Sequence, residues 1–285
     1  MRGFVFTISS LFLVTVIVLF AAFYAEDVNK REASVLESYS AFQAGAIAED
    51  VEDTLNGLLG TEADVNRGGA YMTVEITDRL PPAIDKAKLS GFETFIETRY
   101  DEKQNTTITL DLLQLTDGLT ELKFSNGLQY DYNYGIVNYV QFGGPSDSSN
   151  VITYDINISV NDTFFSTNAW AWDAGGDINV SIGFRDNAGN VVMQSGKLDS
   201  SLLNTYDLNF TEDGNSFLRV QVGLIGGDSR SVKVTESITG AAAASITIKA
   251  LLPAESEGLS CYYNADLVVL GNDVNVGRKP ELCRG

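Results

Sequence analysis

The sequence predicts an α+β protein, mainly β. A long N-terminal transmembrane and stalk helix should be followed by an antiparallel β-sandwich head of jelly-roll-like type. Three observations predict this. Phe4 to Ala25 runs without a charged residue. From Glu26 to about Leu59 the apolar residues turn periodic, with no proline among them. After Asn105, short alternating runs separated by Gly, Asn and Asp turn signals succeed one another.

The first segment, FVFTISSLFLVTVIVLFAAFYA, is 22 residues long. As a helix it measures about 33 Å, enough for a bilayer core. Only Thr7, Ser9, Ser10 and Thr15 in it are polar, and a helix satisfies hydroxyls internally. Three readings of the segment stand side by side: a cleaved secretory signal, an uncleaved anchor, and a helix retained after removal of a short leader. Cleavage after Ala22 or Ala25 would put Phe20 or Phe23 at −3, where a signal peptidase prefers a small residue. Arg2 precedes the span and Lys30 and Arg31 follow it, so flanking charge does not orient it.

The stalk, residues 26–60, spaces Val28, Val35, Tyr39, Phe42, Ala46, Val51, Leu55 and Leu58 as one buried helical face. Glu32, Glu37, Glu49, Asp50, Glu52 and Asp53 are assigned to the opposite face. Gly60 is the expected helix end. In residues 61–104, Ala70 to Thr77 alternates as a strand. Ser90-Gly91-Phe92-Glu93 has capping-box spacing for a short helix from about Gly91 to Glu102.

The head proper is expected over 105–252. TITLDLLQL, ELKF, LQYDYNY, IVNYVQF, VITYDINISV, DINVSIGF, VVMQSGKL, TYDLNF, FLRVQVGLI, SVKVTES and ASITIKALL all read as strands. Asn126-Gly127, Gly143-Gly144-Pro145, Gly175-Gly176-Asp177 and Gly226-Gly227-Asp228 mark turns, and Arg185 to Asn190 a hairpin loop. Tyr130, Tyr132 and Tyr134 share one strand face, as do Trp170 and Trp172. Such faces either fill the core or stack on sugar rings.

Residues 253–285 hold both cysteines, Cys261 and Cys283, with a strand expected around Asp266 to Leu270. In an exported chain the two thiols are a disulfide candidate, closing a loop that would add about 3 kcal/mol of stability.

Composition narrows the function classes. With 38 acidic and 19 basic residues the net charge is −19, which disfavours nucleic acid and anionic lipid heads as partners. The chain has no histidine, which removes the commonest general base and zinc ligand. No nucleophile elbow, phosphate loop or metalloprotease motif occurs. The expectation is therefore no enzyme, no catalytic residue and no cofactor. Asn105, Asn157, Asn161, Asn179 and Asn209 begin N-glycosylation sequons. Asp173 with Asp177, and Asp186 with Asn187 and Asn190, are the acidic loop sets that could take calcium, though neither has a calibrated spacing.

Met1-Arg2-Gly3 before Phe4-Val5 resembles the leader of a type IV prepilin, closest to its archaeal form. The resemblance implies a leader of residues 1–3, with Gly3 before the cut, Phe4 as the mature N-terminus, and a retained apolar helix over 4–25. Ile8 stands where bacterial pilins carry Glu, a departure from the bacterial pattern. The long helix, the β-rich head and a C-terminal disulfide loop are also similar to pilin architecture. The function so implied is a structural or adhesive surface subunit. It would be anchored in the cell membrane or assembled into an extracellular filament through the helix, with the C-terminal domain outside. The alternative is a singly anchored adhesin or carbohydrate-binding sandwich that does not polymerise. Partners on either reading are the membrane, other copies of the chain, and a surface glycan or protein.

Overall fold

The computed structural model describes residues 2–80, 86–104, 107–133, 138–144, 150–163, 166–167, 170, 172–212, 215–237, 243–254, 259–270 and 275–284. The chain is α+β and mainly β: one long helix followed by antiparallel-rich sheets.

Helix α1 runs unbroken from Arg2 to Leu59, 58 residues, or about 87 Å. It stops at Gly60, whose positive φ of 69° reverses the chain and whose N–H bonds Asn56 O. Strands β1 (Glu62–Gly68) and β2 (Tyr71–Leu80) then form a hairpin. β1 offers only a two-residue apolar alternation, Ala63 and Val65, both half-buried against the core. Its sequence, EADVNRG, is ordered by pairing along the edge of β2. Helix α2 (Lys86–Gln104) is longer at both ends than the capping pattern indicates.

The expected strand TITLDLLQL is instead β3 (Thr107–Asp111) followed by a short helix α3 (Leu113–Asp117). Leu112 and Leu115 are buried there, and Gly118 takes the left-handed cap conformation, so a one-turn helix buries both leucines. The remaining strands are β4 (Leu119–Phe124), β5 (Gln129–Asn133), β6 (Asn138–Gly143), β7 (Thr153–Val160), β8 (Ser166–Thr167), β9 (Ile178–Arg185), β10 (Val191–Leu198), β11 (Leu203–Asn209), β12 (Phe217–Ile225), β13 (Asp228–Ser237), β14 (Ala244–Pro253), β15 (Ser260–Tyr263), β16 (Asp266–Leu270), β17 (Asn275–Arg278) and β18 (Glu281–Arg284).

Among the described residues they form a six-stranded sheet, β1-β2-β14-β7-β9-β10, and a nine-stranded sheet, β18-β15-β4-β5-β6-β13-β12-β11-β8. A third, three-stranded sheet is β17-β16-β3. Strand pairing crosses the segment divisions read from the sequence: β2 pairs with β14, β4 with β15 and β3 with β16. Among the described residues all strand pairs are antiparallel except β7 with β9. After β7 the chain crosses to the far edge of the other sheet as β8 and returns to start β9, the kind of long connection a parallel pair needs.

The two large sheets face each other over a common core. Phe142 of β6 meets Tyr154 of β7 edge-on at 6.2 Å, and Phe184 of β9 stacks on Tyr206 of β11 at 5.3 Å. Tight turns set the register. Gly226 and Gly227 both have positive φ, which suits the two-residue link between β12 and β13. Arg230, also at positive φ (58°), donates to Val151 O and Asp177, while its carbonyl accepts from the Tyr154 hydroxyl. It thereby ties three segments together at one end of the sandwich.

Candidate functional site

The feature that distinguishes this molecule is the long helix, of which only the C-terminal part packs on the head. Ala44, Ile47, Ala48, Val51, Leu55 and Leu59 are buried, at the spacings of one helical face. Glu52 lies on that face too, 3% exposed, and pairs with Arg278 of β17: Nη2 donates to Oε2 at 2.8 Å, and Nε stands 2.7 Å from Oε1 as an ion pair. The charge-assisted bond and the close ion pair beside it clamp the helix to the C-terminal strands. Sequence reading assigned Glu52 to the polar face. The overlooked signal is its place among Ala48, Val51 and Leu55 on a helical wheel. Next to this clamp, Cys261 and Cys283 face each other across β15 and β18 as a disulfide.

The stripe read as one buried face is in fact divided. Val51 and Leu55 are buried, but Val35, Tyr39 and Phe42 are 67%, 65% and 75% exposed, and Ala46 is also exposed. At 3.6 residues per turn, Val28, Val35, Tyr39, Phe42 and Ala46 fall roughly 180° from the docked face. The reason is geometric: a straight helix can turn only one face to its head, and the periodicity passes from one face to the other near residue 46.

Below the stripe lies the apolar segment. Phe12–Glu32 is long and apolar enough to cross a membrane, with a mean hydropathy of 1.7 and none of it buried. Phe12, Leu13, Ile17, Val18, Phe20 and Phe23 all stand exposed. The pairs Glu26–Lys30 (2.7 Å) and Asp27–Arg31 (2.9 Å) follow, each with the acid four residues before the base, the favourable order in a helix. They mark where the helix becomes polar. Gly3 and Phe4 lie in the first turns of α1, with no break in the helix after them.

The other residues singled out from the sequence serve structural roles or stand apart. Tyr130 and Tyr132 are buried in the core, and Tyr134 lies outside the described residues. Trp170 is buried, edge-on to Trp172 at 5.3 Å and to Tyr206 at 5.7 Å. Trp172 covers Gly196, where an added Cβ would meet the indole at 2.6 Å. These rings therefore close the sandwich and are not placed to stack on a sugar.

Asp173 accepts from Gly175 N at 2.8 Å, and Asp186 from Asn190 N and Nδ2, both at 2.7 Å. Asp177 accepts from Ser200 N and Oγ and from Arg230. Burial pushes the Asp177 carboxyl up, but these donors outweigh it and hold the group below its usual value. The calcium candidates thus pin their own loops. No group of three or more His, Cys, Asp or Glu side chains that could hold a metal occurs among the described residues.

Of the sequon asparagines, Asn157 lies mid-strand in β7 and Asn179 at the start of β9, both on the outer face of the six-stranded sheet, beside Ser159 and Ser181. Asn161 Oδ1 accepts from Ala243 N, and Asn209 Nδ2 donates to Ser166 Oγ at 3.4 Å. Asn105 lies outside the described residues.

Two carboxyls went unremarked in the sequence. Asp78, between the sheets, accepts from Tyr130 OH (2.7 Å), Thr61 Oγ1 (3.1 Å) and Arg79 N (2.7 Å). Burial raises its pKa to about 6 despite these donors. Glu236 on β13 is buried with Oε2 unpartnered, and burial alone raises it to about 7. Both occupy core positions of alternating strands, which is the pattern that could have revealed them.

Compared with known proteins, the chain matches no family model, no curated sequence and no solved structure. The functional reading therefore rests on the geometry of the helix and on the residues around it.

Proposed function

We propose that the protein is a surface subunit that works through α1, its apolar half held in a bilayer or among the helices of other copies while the acidic β head stands in water outside. The single observation that carries this reading is the continuity of the helix. An apolar segment that the head leaves uncovered runs without a break into a segment clamped on the head by Glu52 and Arg278. Whatever holds the first half therefore holds the head at a defined distance and angle. Burying some twenty apolar residues in lipid, or against other apolar helices, supplies the driving force.

Assembly with other copies draws support from the outward stripe. Val28, Val35 and Phe42 repeat every seven residues, with Tyr39 and Ala46 beside them, a spacing that suits a helix-on-helix seam. Beyond Ala46 the same side turns acidic with Glu49, Asp50 and Asp53, and the seam ends there. The prepilin-like leader agrees with this reading.

The test is a V35D/F42D variant in the native host. Both positions are exposed and away from the docked face, so the head keeps its thermal stability and the chain still partitions with membranes. The high-molecular-weight fraction released by shearing disappears. If that fraction forms as in the wild type, the stripe is not the assembly surface. If the wild type itself yields only detergent-extracted monomers, the chain is an anchored binder that does not polymerise.

A further inference from the structure

We infer that the outer face of the six-stranded sheet carries a groove for an acidic saccharide, built on Arg79, Ser245, Ser159 and Arg185. These four residues form one row across four adjacent strands: Arg79 of β2 opposes Ser245 of β14, Ser245 opposes Ser159 of β7, and Ser159 aligns with Arg185 of β9. All four are exposed on the same outward face. At the usual strand spacing the two arginine Cα atoms stand about 14 Å apart, and the serine hydroxyls lie between them.

The next row deepens the site. Thr247, Asn157 and Gly183 are neighbours across β14, β7 and β9. Gly183 leaves room for the Asn157 side chain, since a Cβ there would come within 2.7 Å of Asn157 Oδ1. Two open hollows result, one containing Arg185, Val191 and Met193 and the other Arg79, Asn161 and Asn187. Ser159 and Ser245 line both, so the hollows form one continuous groove. Val191 and Met193 are 53% and 70% exposed, and they form an apolar wall beside a floor of hydroxyls and an amide. A floor that hydrogen-bonds hydroxyls, with a wall that packs on C–H groups, matches the two kinds of surface on a sugar ring.

Charge selects an acidic sugar. The chain carries a net charge of −19, and Arg31, Arg219, Arg230 and Arg278 each pair with a carboxylate. Among the described residues Arg79 and Arg185 have no such ion pair. Of the nearby acids, Glu75 pairs with Lys249, Asp155 accepts from Asn157, and Asp186, which also lines the Arg79 hollow, is buried and accepts from Asn190 in its own turn. Two unneutralised guanidiniums at opposite ends of a polar groove suit a ligand with anionic groups on separate rings, as in a uronate or sulfated oligosaccharide. A strand-adding peptide does not fit, because the groove crosses the middle of a sheet whose backbone groups are already paired.

The experiment uses the full chain in detergent micelles and fluorescence anisotropy. The probes are labelled oligogalacturonate, heparin oligosaccharide and neutral dextran oligosaccharide at low salt. The acidic probes bind, dextran binds at least about tenfold more weakly, and R79Q and R185Q each cost about tenfold in affinity. S245Y, which fills the groove from an exposed position, abolishes binding, whereas K197Q on the same face leaves it unchanged. Thermal melting of every variant checks the fold. Equal affinity for dextran, no binding of either acidic probe, or unchanged affinity in a folded R79Q/R185Q double variant overturns the proposal.

Discussion

Asp78 and Glu236 place two carboxyls inside a β core, and both bind their protons more tightly in the fold than in the unfolded chain. The sign of the linkage follows. Their stabilising contribution is complete below about pH 4 and is lost as pH rises through about 6 for Asp78 and about 7 for Glu236. For Asp78 the cost at neutral pH is about 3 kcal/mol, from a shift of about two pH units. Burial first, and then the Asp78 charge, push the pKa of the Tyr130 hydroxyl well up, so it stays protonated as a donor to Asp78. Glu236→Gln removes a charge that nothing neutralises. It should raise stability by about 2 kcal/mol at pH 8 and by almost nothing at pH 4.5. Urea unfolding at the two pH values checks this, and a gain of equal size at both would show that desolvation of the charge is not the cause. At this scale the sequence was a partial guide. The disulfide partners could be named because only two cysteines exist. Asp78 and Glu236 were missed although each continues the apolar alternation of its strand, Asp78 between Ile76 and Leu80 and Glu236 after Val232 and Val234.

At the scale of elements, α1 depends on its clamp. Removing Glu52 leaves Arg278 facing an apolar helix, but the guanidinium is still 31% exposed, which moderates the penalty. Glu52→Ala should cost about 2 kcal/mol, and its signature should be local. Amide exchange should accelerate over residues 44–59 while the β7–β14 pairing keeps its protection. Uniform acceleration across the head would mean that the pair stabilises the whole fold and does not specifically dock the helix. Most elements were legible. The span, the stalk and the alternating strands β4 to β7 and β9 to β14 follow from periods of 3.6 and 2. The failures share one cause, which is that tertiary pairing overrides local pattern. β1 has only Ala63 and Val65 as apolar signal yet is paired along an edge, and α3 interrupts a run of leucines and threonines that reads as strand. The stripe of α1 was correct in its spacing and wrong in its unity, because periodicity along a helix does not say how far the head extends beside it.

At the scale of the whole molecule, the parts divide the work. The acidic head packs on one core that runs from Ala44 of the helix to Cys283 of β18. The apolar half of α1 takes no part in that core. An exposed apolar helix of this length suits a membrane anchor or a signal sequence, and the proposed function takes it as an anchor or an assembly element. The groove on the six-stranded sheet lies on the head alone and stands or falls independently of the helix. What the sequence could not convey is how the rows Arg79–Arg185 and Thr247–Gly183 come together, since they draw on strands far apart in the chain. Retention of α1 is the central claim, and intact-mass measurement of the protein purified from its native host tests it most directly. The account predicts a mass that includes the whole apolar helix, beginning at Phe4 if the leader is removed or at Met1 if it is not. A mass beginning after Ala22 or Ala25 would contradict it, because the head would then have been released without the segment through which it is proposed to act.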